Sequence, residues 1–334
     1  MAIYERIVVC GEVAEGKITS VTKEVLASGR GLADRLGRPL DVLLIGERIE
    51  EAARDAVSFG GDAVYVVNGP PGAQSHPDLY LALITEACRR PAPSVILFSH
   101  SDMGREVAPR LAVRLKAAVT MDCIKLSIES PSNALLLSKP VYGGNAIAVW
   151  ASRPGKTQIV TVRPRSQAAA EQDTSRQGTV TSLNISIDPS SLKGKLLETV
   201  TDEVKGIKLE DAKVIVAGGG GIGGSEGFKI LEELARVLGG TIGVTRVPCD
   251  EGWMPLSLEI GQTGHIVSPN LYIAVAISGA PQHMTGCSPS KLLVAVNRDP
   301  DANIFKEADL GVVGDYRQVL PSLIERCKAL RAWL

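Results

Sequence analysis

The stretch KVIVAGGGGIGGSEGFKILEELARVLGG, residues 213–240, joins an apolar run to a glycine-rich turn and then to an amphipathic segment. The apolar run has the length of a buried strand, and the apolar residues of the amphipathic segment recur at helical spacing. A strand, a tight turn and a helix in this order begin a βαβ unit, from which doubly wound sheets are built. The stretch therefore predicts an α/β fold with a parallel sheet.

The turn of this stretch contains a G-x-G-x-x-G match at Gly219, Gly221 and Gly224. Such a turn lets backbone amides and a helix N-terminus approach phosphate oxygens. Because the run is so rich in glycine, the match is partly forced by composition. Phosphate contact and a plain tight turn therefore both stay open.

A nicotinamide-dependent dehydrogenase that uses the turn at 218–224 is one functional hypothesis. Such enzymes place an acidic residue roughly 20 positions further on, where it binds the ribose hydroxyls. Here the second strand ends in Thr245 and Arg246, and an arginine suits a 2′-phosphate instead. No evident acid–base constellation accompanies the turn, so this hypothesis is the alternative and not the principal one.

Further apolar runs follow towards the C-terminus, at 241–246, 271–277 and 291–297, with a closing helix from about Asp315. Loops at the carboxyl ends of parallel strands line the ligand crevice of such sheets, so polar residues in these loops are expected to converge on one large ligand. These residues are Thr245, Arg246, Gln262, Thr263, Ser278, Gln282, His283, Asn297 and Asp315.

Taken singly, these residues also have structural interpretations. Gln262 and Thr263 suit a turn, and the Ser278 hydroxyl suits a helix cap. His283 suits a hydrogen-bonded histidine within a helix. Asp315 begins a capping-box-like spacing, so a structural N-cap is an equal alternative there.

The first half of the chain alternates short apolar runs with amphipathic segments, the rhythm of βαβ units. The runs are RIVVC, DVLLIG, AVYVV and SVILFS, and the amphipathic segments lie at 20–36, 49–59, 78–89 and 104–116. After Val119 the pieces IKLSI, ALLLSKPVYGGNAIAVWAS and TQIVTVRP predict antiparallel strands appended to the sheet. Residues 165–178 are polar and predict a surface loop.

The charge-rich stretch 188–211 lacks a long apolar segment, so it predicts a linker between the two halves. The predicted fold class is therefore α/β with two doubly wound domains. The first is an N-terminal α/β domain over 1–190, and the second is a Rossmann-like domain over 205–334.

The composition of the 334 residues, 45% apolar and 22% charged, is that of an ordinary globular protein. With 36 basic and 37 acidic side chains, the net charge of −1 gives no reason to expect nucleic acid or an anionic membrane as a partner. The six cysteines contain no C-x-x-C pair, which predicts reduced thiols, a cytoplasmic location and no metal site. The longest apolar stretch is too short for a membrane span.

Five C-terminal segments resemble the FAD-binding signature of electron transfer flavoprotein alpha subunits in order and spacing. They are VTR (244–246), GQTGHIVSP (261–269), LYIAVAISGAPQH (271–283), NRDPDANIF (297–305) and ADLGVVGD (308–315). The segments KPVYGGNAIAVW and TQIVTVRP resemble that family's first domain, so the resemblance covers most of the chain.

This resemblance implies an FAD-containing electron carrier that forms a heterodimer with an electron transfer flavoprotein beta subunit. Residues 1–190 are expected to contact that subunit, and residues 205–334 to bind FAD. The electrons are expected to pass between dehydrogenases, acyl-CoA dehydrogenases above all, and another redox acceptor. Two alternatives stay open: an electron-bifurcating, NADH-linked complex whose beta subunit holds a second FAD in place of AMP, and a non-catalytic nucleotide-binding subunit.

The resemblance also implies roles for individual residues. Arg246 is expected against the flavin ring, Thr263 and Ser278 near N5, and His283 at the O2 edge. The other expected positions are Thr245, Asn297 and Asp315 for the phosphate or adenosine portion, and Gly220, Ile260, Gly261, Gln262, Gly279, Ala280, Pro281, Gln282 and Tyr316 around them.

The implied roles have a physical basis. Reduction of a flavin places electron density on the N1 to O2 region and changes the protonation of N5, so donors and positive charge there favour reduced forms. A carrier needs no substrate pocket, which agrees with the missing acid–base set. Three positions depart from the family's pattern: Gly220 stands where an arginine is common, and His265 and Pro281 where other residues are common.

Overall fold

The computed structural model describes residues 5–69, 72–73, 76–89, 93–144, 146–152, 155–188, 192, 194, 197, 207–288 and 290–331. The chain divides into two compact units, one comprising Met1–Val141 with Asn145–Thr201 and the other Tyr142–Gly144 with Asp202–Leu334. The predicted linker 188–211 lies largely outside the described residues. The domain bounds 1–190 and 205–334 stay predictions.

The helices and strands of the first unit are β1 (Ile7–Gly11), β2 (Val13–Ala14), β3 (Lys17–Ile18), α1 (Ser20–Leu36), β4 (Leu40–Gly46), α2 (Glu50–Ser58), β5 (Ala63–Asn68), α3 (Pro77–Arg89), β6 (Val95–Ser99), α4 (Asp102–Leu115), β7 (Ala118–Cys123), β8 (Lys125–Ile128), β9 (Leu135–Val141), β10 (Ala146–Ala151), β11 (Gln158–Val162) and β12 (Thr179–Leu183). Seven of the strands form a parallel sheet in the order β12-β5-β4-β1-β6-β11-β7. A separate antiparallel sheet has the order β10-β9-β8, and β2 pairs with β3 in a short ribbon.

Helices cover both faces of the seven-stranded sheet, which explains why its central strands are buried on both faces and largely apolar. The core on one face joins residues of α1 and α2 to the sheet, and the core on the other joins residues of α3 and α4. Every residue of β1, β4 and β6 is buried. The apolar runs and amphipathic segments of the first half are thus confirmed as strands and helices.

Local caps fix where these helices begin and end. The Thr19 hydroxyl accepts a hydrogen bond from the Thr22 amide at the start of α1, and Gly37 ends that helix in the left-handed conformation with φ +61°. Ser101 caps α4 in the same way by accepting from the Gly104 amide. Side-chain caps therefore mark where α1 and α4 begin, and a glycine marks where α1 ends, bounds that the apolar pattern alone leaves open.

The antiparallel prediction for the middle of the chain is only partly correct. IKLSI and the long piece after it do form the antiparallel strands β8, β9 and β10. TQIVTVRP, however, forms β11, which lies inside the main sheet and pairs in parallel with β6 and β7. All five residues of β11 are buried, and a strand buried on both faces must be an interior strand. The predicted loop at 165–178 is confirmed, since it contains no helix or strand.

The second unit has a five-stranded parallel sheet in the order β14-β13-β15-β16-β17. This arrangement corresponds to strand order 2-1-3-4-5, one of the two common doubly wound orders. The predicted α/β class with two doubly wound domains is confirmed. The elements are β13 (Val214–Gly218), α5 (Phe228–Leu238), β14 (Thr241–Val244), α6 (Arg246–Asp250), β15 (Leu271–Val275), α7 (Pro281–Cys287), β16 (Leu293–Asn297), α8 (Ile304–Glu307), β17 (Leu310–Val313) and α9 (Tyr316–Arg331).

Two apolar cores lie on the faces of this sheet. One joins α5 and α9 to the strands, with Phe228 and Leu320 fully buried between them. The other includes Tyr272, Met284 and Ile304 and supports the loops after the strands. Among the described residues no helix combines the length and the apolar character that a membrane crossing requires.

His100, just after β6 in the first unit, is a largely buried titratable group. Its Nδ1 lies 2.7 Å from the Thr161 hydroxyl, and its Nε2 lies 3.9 Å from a carboxylate oxygen of Asp122. Loss of water on burial lowers its pKa from 6.5 to about 4, although Asp122 acts in the opposite direction. Arg105, Arg163 and Lys139 also lower this pKa. The folded chain therefore keeps the imidazole neutral at pH values where the unfolded chain protonates it.

We predict that the first unit loses stability as the pH falls from about 6.5 to about 4 because the unfolded state binds a proton that the folded state excludes. The loss reaches at most roughly 3 kcal/mol, and it is complete below the folded pKa. His100→Gln, which has no titrating ring, should show a correspondingly smaller loss in urea unfolding at a series of pH values. An unchanged pH dependence in this variant, or an NMR titration of the His100 ring near 6.5, would contradict the prediction.

Candidate functional site

A cavity of about 670 Å³ lies in the second unit where the loops after the parallel strands meet. The loops that follow β13 and β15 form part of its wall, and these two strands flank the point where the strand order reverses. Ligands of doubly wound sheets bind at this position, and the volume lies within the usual range for ligand pockets. The lining residues are Gly219, Gly220, Gly221, Thr245, Arg246, Val247, Glu259, Ile260, Gly261, Gln262, Thr263, Ala276, Ile277, Ser278, Ala280, Gln282 and His283.

Most positions of the expected site lie in this wall. They are Gly220, Thr245, Arg246, Ile260, Gly261, Gln262, Thr263, Ser278, Ala280, Gln282 and His283. Gly279, Pro281, Asn297, Asp315 and Tyr316 are not among the lining residues. The most informative residue that the sequence analysis missed is Glu259, an acidic side chain that is only 2% exposed.

The glycine-rich turn is packed against the end of β15. The Gly219 amide donates to the Val275 carbonyl and the Gly221 amide to the Ala276 carbonyl. A Cβ on Gly219 would lie 2.4 Å from the Ala276 oxygen, so this glycine is required by the close approach of two backbones. A 3₁₀ turn over Ser225–Gly227 follows Gly224 and continues into α5 at Phe228, so a helix does follow the turn. The amides of Gly219 and Gly221 are nevertheless used within the protein, which favours the tight-turn interpretation over phosphate contact at these two residues.

Arg246 brings a positive charge to the rim of the cavity. Its Nε donates to Asp250 at 2.7 Å, and its Nη1 lies 3.6 Å from a carboxylate oxygen of Glu259. Asp250 first and Glu259 second raise the pKa of the guanidinium. Because its side chain is 55% exposed, Arg246 is held from two sides and still accessible to a ligand.

His283 lies at the cavity wall but is engaged inside the protein. Its Nδ1 donates to the Ile260 carbonyl at 2.9 Å, which fixes the hydrogen on Nδ1 because a carbonyl can only accept. Burial lowers the pKa of the ring, so the neutral Nε2 accepts from the Tyr272 hydroxyl at 3.1 Å. In this arrangement no ring N–H is left for a flavin. Donation to O2 therefore stays a prediction that requires His283 to exchange one partner.

Three expected site residues outside the wall stabilise the loops. The Asn297 amide donates to the Ile277 carbonyl, and its oxygen accepts from the Asp299 amide. The Asp315 carboxylate accepts from the Arg317 amide at the start of α9, as the cap interpretation proposes. The buried Tyr316 hydroxyl donates to the Ile222 carbonyl, which ties α9 to the glycine-rich turn.

Other polar groups of the wall remain available to a ligand. Among the described residues, none makes a hydrogen bond to the side chains of Gln262, Ser278 or Gln282, and all three are exposed. Ile260, Ala276 and Ile277 contribute apolar surface next to them. An apolar wall with a few convergent donors and one cation suits a planar, partly polar ligand that gains negative charge.

Comparison with known proteins identifies the family. The electron transfer flavoprotein domain matches residues 7–188, and the electron transfer flavoprotein FAD-binding domain matches residues 208–288. The alpha subunit of Thermoanaerobacterium thermosaccharolyticum is 41% identical, over 98% of this chain and 99% of that protein. The chain belongs to the electron transfer flavoprotein alpha family. The Bacillus subtilis alpha subunit is 38% identical over 98% of both chains, and the acryloyl-CoA reductase electron transfer subunit beta of Anaerotignum propionicum is 33% identical over 95% of this chain and 94% of that protein.

Membership of the electron transfer flavoprotein alpha family confirms the principal functional prediction: the chain is an electron carrier and its cofactor is FAD. Alpha subunits of this family pair with a beta subunit. Nothing in the matches supports the nicotinamide-dependent dehydrogenase. The cavity fits the flavin, because its volume, its apolar surface and the available donors of Gln262, Ser278 and Gln282 suit a polar-edged ring.

Two glycines near the cavity should differ sharply in their tolerance of a side chain. Gly279 and Gly223 both have positive φ angles, +85° and +82°. A Cβ atom added to Gly279 would lie 2.3 Å from the Ile304 amide nitrogen, whereas a Cβ atom added to Gly223 would have no atom of the described residues within 4 Å. We predict that Gly223→Ala costs about 1–2 kcal/mol, the price of the left-handed conformation, and that Gly279→Ala costs at least about 2 kcal/mol more.

The measurement is hydrogen exchange of the β15 and β16 amides in the intact chain, which reports the free energy of local opening. The Gly223→Ala variant is the matched control, since it shares the conformational penalty without the clash. Equal losses of protection in the two variants would show that the contact between Gly279 and Ile304 does not constrain the loop.

Proposed function

We propose that the cavity in the second unit holds the flavin ring of FAD, and that the chain, paired with a beta subunit, passes electrons between an acyl-CoA-oxidising dehydrogenase and a second redox protein. The supporting observation is the convergence of Arg246 and the available donors of Gln262, Ser278 and Gln282 on one apolar wall. The dehydrogenase class is supported by the name of the Anaerotignum propionicum relative, an electron transfer subunit of acryloyl-CoA reductase.

Each lining residue has a proposed role towards the ring. Arg246 lies against it and offsets negative charge, while Ser278 and Thr263 face N5. Gln262 and Gln282 donate to ring oxygens or nitrogens. His283 holds the wall in shape through the Ile260 carbonyl and Tyr272, and Ile260, Gly261 and Ala280 give the ring its apolar contact.

The phosphates and the adenosine are proposed to lie towards Gly220, Thr245, Asn297 and Asp315. Thr245 supports this proposal best, because it lines the cavity and its hydroxyl caps no helix amide. Gly279, Pro281 and Tyr316 are proposed to act indirectly, by fixing the loops that carry the contacts. The glycine-rich turn is proposed to shape the cavity wall and not to donate from Gly219 and Gly221, because these two amides already donate to the carbonyls of Val275 and Ala276.

The chemistry of electron transfer belongs to the bound FAD, which accepts and releases electrons singly. The chain's own task is to bind the ring, to set the electrostatic field around it and to limit water. This division explains why the described lining residues contain no acid–base pair aimed at a substrate. His283 is hydrogen-bonded to the Ile260 carbonyl, and Glu259 is hydrogen-bonded to the Thr263 hydroxyl. The cytoplasmic location stays a prediction.

The first test is coexpression of the chain with a beta subunit of the same family. We expect a complex whose visible spectrum shows flavin absorption, with one FAD released per second unit on denaturation. A colourless stoichiometric complex would contradict the proposal and favour a nucleotide-binding subunit that only stabilises its partner. Counting flavins per heterodimer also reveals whether the beta subunit holds a second one.

Arg246→Ala should weaken the binding of FAD to this complex. The loss is expected to be about tenfold, the lower end for a charged donor, because the guanidinium is half exposed and partly screened. The matched control is Arg236→Ala, which removes an exposed arginine on α5 away from the cavity. Equal dissociation constants for the two variants in a fluorescence titration would remove Arg246 from the proposed site.

A further inference from the structure

Glu259 is a buried carboxylate in the wall of the cavity, a costly arrangement unless it is paired. Its Oε1 accepts a hydrogen bond from the Thr263 hydroxyl at 2.6 Å. Its Oε2 faces the guanidinium of Arg246 at 3.6 Å. Each carboxylate oxygen of Glu259 thus contacts one residue that is proposed to touch the flavin ring, Thr263 at Oε1 and Arg246 at Oε2.

The backbone around Glu259 holds this carboxylate in place. The His265 amide donates to the Glu259 carbonyl at 2.8 Å, and the Ile260 amide donates to the Val244 carbonyl at the end of β14. A Cβ on Gly264 would lie 2.3 Å from the Glu259 carbonyl oxygen and 2.8 Å from its Cγ, so only glycine fits there. The turn at 259–265 is therefore folded closely around the glutamate.

The pairing decides what the Thr263 hydroxyl can offer a ligand. A hydroxyl has one hydrogen and two lone pairs. Since a carboxylate can only accept, the hydrogen of Thr263 points at Glu259 and away from the cavity. Towards a ligand this hydroxyl can therefore only accept a hydrogen bond.

We infer that Glu259 is a positioning residue that makes the Thr263 hydroxyl an acceptor and so matches it to the protonated N5 of reduced flavin. This inference rests on the proposed function, which puts Thr263 near N5. Oxidised N5 has a lone pair and needs a donor, whereas reduced N5 has a hydrogen and needs an acceptor. The glutamate thus selects between the oxidation states through the direction of one hydrogen bond.

Glu259→Gln reverses this direction without changing the shape of the side chain. The cation of Arg246 attracts the amide oxygen, which turns the NH₂ group towards Thr263. The threonine oxygen then accepts from the glutamine, and its hydrogen is free to point into the cavity. Oxidised FAD gains a donor at N5, whereas 5-deaza-FAD, with a C–H group at that position, gains nothing.

The experiment is a fluorescence titration of the complete complex with oxidised FAD and with 5-deaza-FAD. We expect Glu259→Gln to tighten FAD binding about two- to tenfold relative to 5-deaza-FAD, the range for one ordinary hydrogen bond. In a Thr263→Val background the same change should have no ligand-specific effect, because the hydroxyl is absent. Glu251→Gln, an exposed glutamate that does not line the cavity, should shift both ligands equally.

Equal effects of Glu259→Gln on the two ligands, or the same FAD-specific effect with and without Thr263, would overturn the inference while leaving the proposed function intact. A wild-type complex that binds neither ligand in the second unit would overturn both. A thermal unfolding scan confirms that each variant is folded, and Glu259→Asp serves as the second variant. It keeps the carboxylate and should keep the wild-type preference.

Discussion

The pairing of β13 with β15 fixes the position of the site in the second unit. Both strands are buried and end at the same edge of the sheet, at Gly218 and Val275, where the ladder of backbone hydrogen bonds stops. The chain satisfies the next groups by folding the glycine-rich turn back on β15, through the Gly219 and Gly221 amides, and by donating the Thr245 amide to the Gly218 carbonyl. Backbone hydrogen bonds thus position the start of the loops that line the cavity, and side chains such as Asn297 and His283 stabilise them further.

The first unit uses a similar topology with a different outcome. Its β1 and β6 also flank a reversal of strand order, but there the Glu12 carboxylate accepts from the Ser101 hydroxyl. Further along the sheet, Asp122 of β7 forms a two-bond ion pair with Arg163, which follows β11, at 2.7 and 2.8 Å. These groups satisfy one another at the edge of the sheet. In the second unit, Gln262, Ser278 and Gln282 find no such partners among the described residues. The strand order places polar side chains at the carboxyl edge of each sheet, and a ligand can bind there only where some of these side chains have no hydrogen-bond partner within the protein.

Much of this fold could be predicted from the sequence, because the information is local. The spacing of apolar residues locates the helices of the first unit, and the capping groups at Thr19 and Ser101 mark where α1 and α4 begin. The direction of β11 could not be predicted in this way. Whether a buried strand runs parallel or antiparallel depends on neighbours distant in sequence, here β6 and β7, and its own residues are compatible with either.

The site shows the same limit at the level of single residues. Resemblance located most of the cavity wall, but Glu259 was missed because an acidic residue in a short loop is ordinarily exposed. Only the closed turn at 259–265 buries it. Conversely, His283 and Asn297 were expected to face a ligand, yet their polar atoms are used by the protein itself. Residue type alone cannot separate a ligand contact from a loop support, since both need hydrogen-bonding groups. The distinction is whether the side chain still has a free donor or acceptor after the hydrogen bonds within the protein have formed, and this is a property of the folded chain.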